Sequence, residues 1–181
     1  KNILKSKMKN ENTAEESLIA LISKIGEKIT IRRSDYISAE HCINFSYMHS
    51  EVKKDLGKIG VLVSLKTSMK KEDLNTFGKQ LAMHVAALAP MAIDKDSLDK
   101  NIISKEKEII TEELKNSGKE SKIIEKIAVG KLNKFISDNT LLNQEWIIDS
   151  KKKVKDILKE IAGKNKVEII NITRFKVGEG V

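Results

Sequence analysis

The side chains best suited to nucleophilic or metal chemistry in this sequence are His41, His49, His84 and the single cysteine, Cys42. None of the histidines stands in an H-E-x-x-H or comparable metal-ligand spacing. His41 and Cys42 are neighbours, and neighbours in a strand point to opposite faces, so they are badly placed to act as base and nucleophile. Cys42 reads as a small buried thiol. No glycine-rich phosphate loop is present. Gly57-Lys58-Ile59-Gly60 lacks the P-loop spacing, and no helix follows Gly178-Glu179-Gly180; both read as turns. The carboxylates lie beside lysines, as in Glu106-Lys107-Glu108, which is the pattern of a solvated surface. The expectation is a protein that is not an enzyme, with no catalytic residue, metal, cofactor or small-molecule substrate.

Contact chemistry is better represented. His49 follows Tyr47 and Met48 at an expected strand end, before a polar loop over 50–55. That position suits either an ordinary loop residue or a contact residue. His84 lies one step from the apolar stripe of a helix and reads as a satisfied, partly buried histidine. Trp146, the sole tryptophan, sits in Asn143-Gln144-Glu145-Trp146-Ile147-Ile148-Asp149 between two helices. It is expected to anchor that connector to the core. The alternative emphasis falls on Ile147 and Ile148 as an exposed apolar tip that docks on a partner.

These residues need elements to hold them. Thr13, with Glu16 three residues on, opens a helix with Leu18, Leu21, Ile22 and Ile25 on one face, and Gly26 ends it. Ile29-Thr30-Ile31 and 42–48 carry strand signals. Residues 59–65, apolar on both faces, predict a central covered strand. Alternation over 167–177 predicts another, with Val167, Ile169, Asn171 and Thr173 on one side. Leu74, Phe77, Leu81, Val85 and Leu88 recur at helical spacing over 71–89, and Pro90 stands past the end. Stripes over 97–116 and 120–138, broken by Ser117-Gly118, predict a helical hairpin. A last helix is expected over 151–162. Because strands lie before and after the hairpin, the final strand must return to the sheet after a helical excursion. The fold class is α+β: two small sheet-plus-helix subdomains, the second interrupted by an inserted antiparallel helical hairpin.

The 181 residues have room for one or two small domains. Charged residues at 33% and hydrophobic ones at 40% are those of a globular chain. The net charge of +8 raises the question of nucleic acid. Only Arg32, Arg33 and Arg174 are arginines, however, and lysines mixed with acids read as a solvated surface. Aromatics at 4% leave no stacking platform. No apolar run is long enough to span a bilayer, no signal-peptide core opens the chain, and one cysteine suits a reducing compartment. No membrane association is therefore expected. The chain starts without methionine, which suggests a processed fragment.

Six segments, in order and with compatible spacing, resemble the elongation factor Ts family, the guanine-nucleotide exchange factors of bacterial translation. They are Lys24-Ile25-Gly26-Glu27-Lys28-Ile29-Thr30-Ile31-Arg32-Arg33, Tyr47-Met48-His49, Gly57-Lys58-Ile59-Gly60-Val61-Leu62-Val63, Lys79-Gln80-Leu81-Ala82-Met83-His84-Val85-Ala86-Ala87, Ser117-Gly118-Lys119, and Arg174-Phe175-Lys176-Val177-Gly178-Glu179-Gly180-Val181. The resemblance spans 24–181. It implies an N-subdomain over 1–53, a second subdomain over 54–92 and 142–181, and an inserted dimerisation or coiled-coil arm over 93–141. It implies that elongation factor Tu is the partner. Ile25, Gly26 and His49 match positions facing the partner's GTPase domain, and Ile147 and Ile148 match an apolar pair that docks on a distal β-barrel domain. A homodimer through the hairpin is a second implied contact. The implied location is the bacterial cytoplasm, or a mitochondrial matrix or plastid.

The departures are specific. The family's Thr-Asp-Phe segment is not in this sequence and would lie upstream, as would an N-terminal helical domain. Glu120 stands where a proline usually follows Gly-Lys, and Trp146 stands where phenylalanine is usual. The expectation is a core fragment with reduced or no exchange activity. A basic RNA- or ribosome-binding module is the alternative.

Overall fold

The computed structural model describes residues 3–38, 40–115 and 120–180. The chain forms two compact units, 1–37 and 38–181. In the first, α1 (Ala14–Ile25) starts at a full capping box. Glu16 N–H donates to Thr13 Oγ1 at 3.1 Å, and Thr13 N–H donates to Glu16 Oε2 at 2.7 Å. Two orphan amides of the helix start are thereby satisfied. Gly26 ends α1 at φ 78°, donating its N–H to the Ile22 carbonyl. The expected strand at Ile29-Thr30-Ile31 does not form; residues 28–38 are neither helix nor strand. Branched side chains favour extension but supply no ladder, and no described strand pairs with this segment.

The second unit is built on an antiparallel sheet in the order β1-β2-β5. β1 (Cys42–Lys53) and β2 (Leu56–Thr67) form a hairpin that turns at Lys54 and Asp55. Position 53/54, the expected subdomain boundary, falls in this turn. α2 (Lys71–Leu88) follows and packs on the sheet through Leu74, Phe77, Leu81 and Val85. Val61, Val63 and Leu65 of the central strand supply the facing layer. The close approach of helix to sheet is made at Gly78, where any β-carbon would stand well inside van der Waals distance of the Phe45 ring.

The inserted arm consists of α3 (Lys100–Lys115) and α4 (Ser121–Asn139). α3 starts later than the predicted 97, because Asp94 and Ser97 close a local turn in which Ser97 N–H donates to Asp94 Oδ1 at 2.8 Å. The Ser117-Gly118 turn lies outside the described residues. At the arm's base the two chain directions are tied together. Met91 N–H donates to Asn139 O, Leu141 N–H to Ala92 O and Leu142 N–H to Ile93 O, at 2.9 Å each. Ala92, Leu98 and Ile136 form a small core there.

After the arm come β3 (Glu145–Trp146), β4 (Asp149–Lys153), α5 (Val154–Ala162) and β5 (Val167–Lys176). The last helix therefore starts at 154 rather than 151, since 149–153 pairs with β3. β5 returns beside β2, as the excursion argument required. Its simple alternation over 167–177 does not hold. The register passes from Leu65↔Ile169 to Ser64↔Asn171, leaving Ile170 as an extra residue. Such a bulge reverses the facing of everything beyond it. Val167 and Ile169 are buried on one side of it, and Ile172, of opposite parity, packs against the same core on the other.

Replacing Gly78 by alanine should destabilise the 38–181 unit by about 1–3 kcal/mol through overpacking, although alanine is the better helix former by about 1 kcal/mol. Urea unfolding of Gly78→Ala would measure this, and adding Phe45→Leu should recover part of the loss. An unchanged midpoint would contradict the close approach.

Candidate functional site

The expected contact residues lie at three places. Ile25 is the last residue of α1 and is 51% exposed, with the left-handed Gly26 turning the chain away behind it. This pair belongs to the first unit. His49 belongs to the second, on β1 opposite Ile59. The sequence placed it at a strand end before a loop, but the strand runs on to Lys53 with a register irregularity between Glu51 and Lys53. The hairpin continues because Gly57 lets the chain come close: a β-carbon there would sit 2.7 Å from the His49 carbonyl oxygen. His49 is exposed, and its Nδ1 lies 3.3 Å from the Tyr47 hydroxyl two residues back on the same face.

Ile147 and Ile148 are the two turn residues of the β3–β4 hairpin, between the paired Trp146 and Asp149. They are 41% and 52% exposed. Two-residue hairpin turns ordinarily use glycine or asparagine at positive φ. Neither isoleucine adopts positive φ, and neither offers a side-chain hydrogen bond to steady a turn. Turn chemistry of the chain itself therefore does not account for the shape of this apolar tip.

The tip is held from beneath. Trp146 is buried, with its ring centroid 5.9 Å from that of Phe77 and 5.3 Å from that of His84. The His84 and Trp146 planes lie only 16° apart. The Ile147 N–H donates to His84 Nδ1 at 3.3 Å. An amide can only donate, so Nδ1 must be the acceptor and the proton sits on Nε2. Nε2 lies 3.0 Å from Gln144 Oε1. The Gln144 amide nitrogen in turn donates to Asp138 O at 2.8 Å and to Leu88 O at 3.4 Å. Two carbonyls can only accept, which fixes which way the Gln144 amide points. The result is a closed network joining α2, the end of α4 and the tip, with both side chains buried.

His84 was read as partly buried and just off the helix stripe; it is fully buried and on the stripe. The sequence carried a signal for this, since His84 follows Phe77 by seven residues, two helical turns. Its partner Gln144 had no signal, lying sixty residues away. Burial holds the His84 pKa below the usual histidine value, opposed by the hydrogen bond to Gln144. Cys42 is half-buried, its thiol 3.4 Å from the Glu40 carbonyl. Among the described residues no cluster of His, Cys, Asp or Glu could hold a metal ion, and no helix is long and apolar enough to cross a membrane. Within the second unit, an exposed imidazole at His49 and an exposed apolar pair at Ile147 and Ile148 are offered to solvent.

A family model described as Elongation factor TS matches residues 1–179. Among curated proteins, the elongation factor Ts of Gluconobacter oxydans (strain 621H) is 35% identical over 175 residues, covering 97% of this chain and 57% of its own length. That of Methylorubrum extorquens (strain PA1) is 39% identical over 174 residues, 95% of this chain and 56% of its own. That of Rickettsia prowazekii (strain Madrid E) is 38% identical over 179 residues, 97% of this chain and 58% of its own. The chain thus spans a little over half the length of these relatives.

A histidine held neutral by burial makes the fold sensitive to acid. The unfolded chain takes up a proton on His84 near pH 6.5, whereas the folded chain takes it up only at lower pH. The unfolded state then binds more protons, so stability falls as pH drops through that window. Urea midpoints should decline between pH 7 and pH 5, above the acid range in which the hydrogen-bonded carboxylates Glu16 and Asp94 protonate. His84→Asn should flatten that decline. An equally steep decline in the variant would contradict the assignment.

Proposed function

Because the chain belongs to the elongation factor Ts family, we propose that it binds elongation factor Tu and promotes release of GDP by contact alone, without bond-making chemistry of its own. The observation that carries this reading is the exposed Ile147–Ile148 tip on a buried, hydrogen-bonded support. The exposed half of this apolar pair is available to another surface, and a preorganised apolar tip loses little entropy on docking. His49 and the Ile25–Gly26 pair are the proposed contacts to the GTPase domain, and the tip is the proposed contact to the distal barrel. The relatives named above are bacterial, which supports a bacterial cytoplasmic location. Ile109, Ile123 and Val129 are exposed along the arm and support self-association there as a second contact.

By linkage, a factor that favours the nucleotide-free GTPase must itself be released when nucleotide binds. The chain should therefore bind elongation factor Tu better without GDP and Mg²⁺ than with them. The chain should speed release of a fluorescent GDP from elongation factor Tu. Ile148→Asp should weaken binding to the nucleotide-free partner by about 1–3 kcal/mol, the transfer scale of one large apolar side chain, while leaving thermal unfolding unchanged. Calorimetric titration would read both. Binding to RNA of many sequences that collapses between low and moderate salt, with no affinity for elongation factor Tu, would instead favour the RNA- or ribosome-binding alternative through the net positive charge.

A further inference from the structure

We propose that His84 is a positioning residue for partner docking: its Nδ1 sets the Ile147 backbone, and thereby the direction in which the Ile147–Ile148 tip is presented. This inference rests on the docking role proposed for the tip. Two observations lead to it. The turn has none of the residues or backbone angles that make a two-residue hairpin self-supporting. The backbone amide at its first position is bonded to an acceptor from outside the hairpin, the His84 ring, 3.3 Å away on a helix sixty-three residues earlier.

His84 does two separable things. Nε2–H donates to Gln144 and so joins α2 to the end of α4; Nδ1 accepts from the tip alone. The first bond is structural. The second ends at a residue whose neighbour, Ile148, is half exposed. The stack of His84 on Trp146 fixes the ring's plane, and the Gln144 bond fixes its tautomer, so Nδ1 is aimed at one place with its lone pair free. An acceptor held in this way orients the amide it receives, the peptide plane between Trp146 and Ile147, and with it the direction in which the chain enters the two isoleucines.

The two nitrogens can be imitated one at a time. An asparagine carbonyl oxygen comes close to the position of Nδ1, and a glutamine amide, one carbon longer, reaches towards that of Nε2. His84→Asn should therefore keep the acceptor for Ile147 and lose the bridge to Gln144, and His84→Gln should do the reverse. Both replace a stacked ring by an amide, so both should lower thermal stability. Affinity for nucleotide-free elongation factor Tu is measured by titration for the unmodified chain, for both variants and for Ile148→Asp. The expected result is that His84→Gln binds about fivefold to tenfold more weakly than His84→Asn, the scale of one hydrogen bond. Equal affinities of the two His84 variants, with Ile148→Asp weakened, would overturn the positioning role and leave the docking tip intact. No effect of Ile148→Asp would overturn the docking reading itself. A measurement on the unmodified chain stands apart from the variants: nitrogen-15 shifts of the His84 ring should show a protonated Nε2 and a bare Nδ1, and the opposite tautomer would overturn the inference.

Discussion

The contact between His84 and the segment around Gln144 and Trp146 is the constraint on which the second unit depends. It brings together two stretches of chain separated by the whole helical arm. Closing so long a loop costs conformational entropy, though the cost grows only slowly with loop length. The structure offsets it at one site with two kinds of interaction. The apolar part is the row of rings Phe77, Trp146 and His84. The polar part is the chain from Ile147 through His84 and Gln144 to the carbonyls of Leu88 and Asp138. The chain starts at an amide that can only donate and ends at carbonyls that can only accept, so the network has only one arrangement. Buried polar groups are costly when unpaired and orienting when fully paired.

This closure separates the arm from the sheet. The backbone bonds of 91–93 with 139–142 form a collar below the arm, and Gln144 lies just beyond it. Changes of length or composition farther out on α3 and α4 need not disturb the register of β2 with β5. The arm's own contacts are of a different kind. Ile110, Leu114 and Ile136 are buried, while the ion pair from Lys131 to Glu113 across the hairpin is largely exposed and adds little stability.

How much of this was legible depended on the distance between partners. α1 was readable because Thr13 and Glu16 satisfy each other within one turn. α2 was readable because its stripe repeats over several turns, and β2 because both of its faces are apolar. The return of β5 followed from chain order alone. Elements defined by a distant partner were not readable. Asp149-Ser150-Lys151-Lys152-Lys153 is a strand only because β3 lies beside it, and its own residues are poor strand formers. Ile29-Thr30-Ile31 is the converse, a good strand sequence with no ladder. The bulge at Ile170 is invisible to an alternation rule, which assumes that no residue is extra. At the site, the exposure of Ile147 and Ile148 was an open alternative that only the family resemblance favoured, whereas the anchoring by Trp146 could be anticipated from residue type. That His84 and Gln144 do the holding could not, because nothing local to either names the other.

A docking protein that does no chemistry must derive its effect from geometry. It can shift another protein between states only by as much as its affinity for them differs. A flexible tip adapts to both states and loses that difference, whereas a rigid tip fits one of them. The support beneath Ile147 and Ile148 has the properties this requires. Its two polar side chains, His84 and Gln144, are buried. It is fixed to the helix that packs directly on the sheet, so a load on the tip is borne by the main core rather than by a two-stranded hairpin, which alone is marginally stable. The isoleucines themselves remain outside the core and are free to be buried by another surface. In the proposed function, the selectivity of an exchange factor for one state of its GTPase therefore depends on residues that never touch the partner.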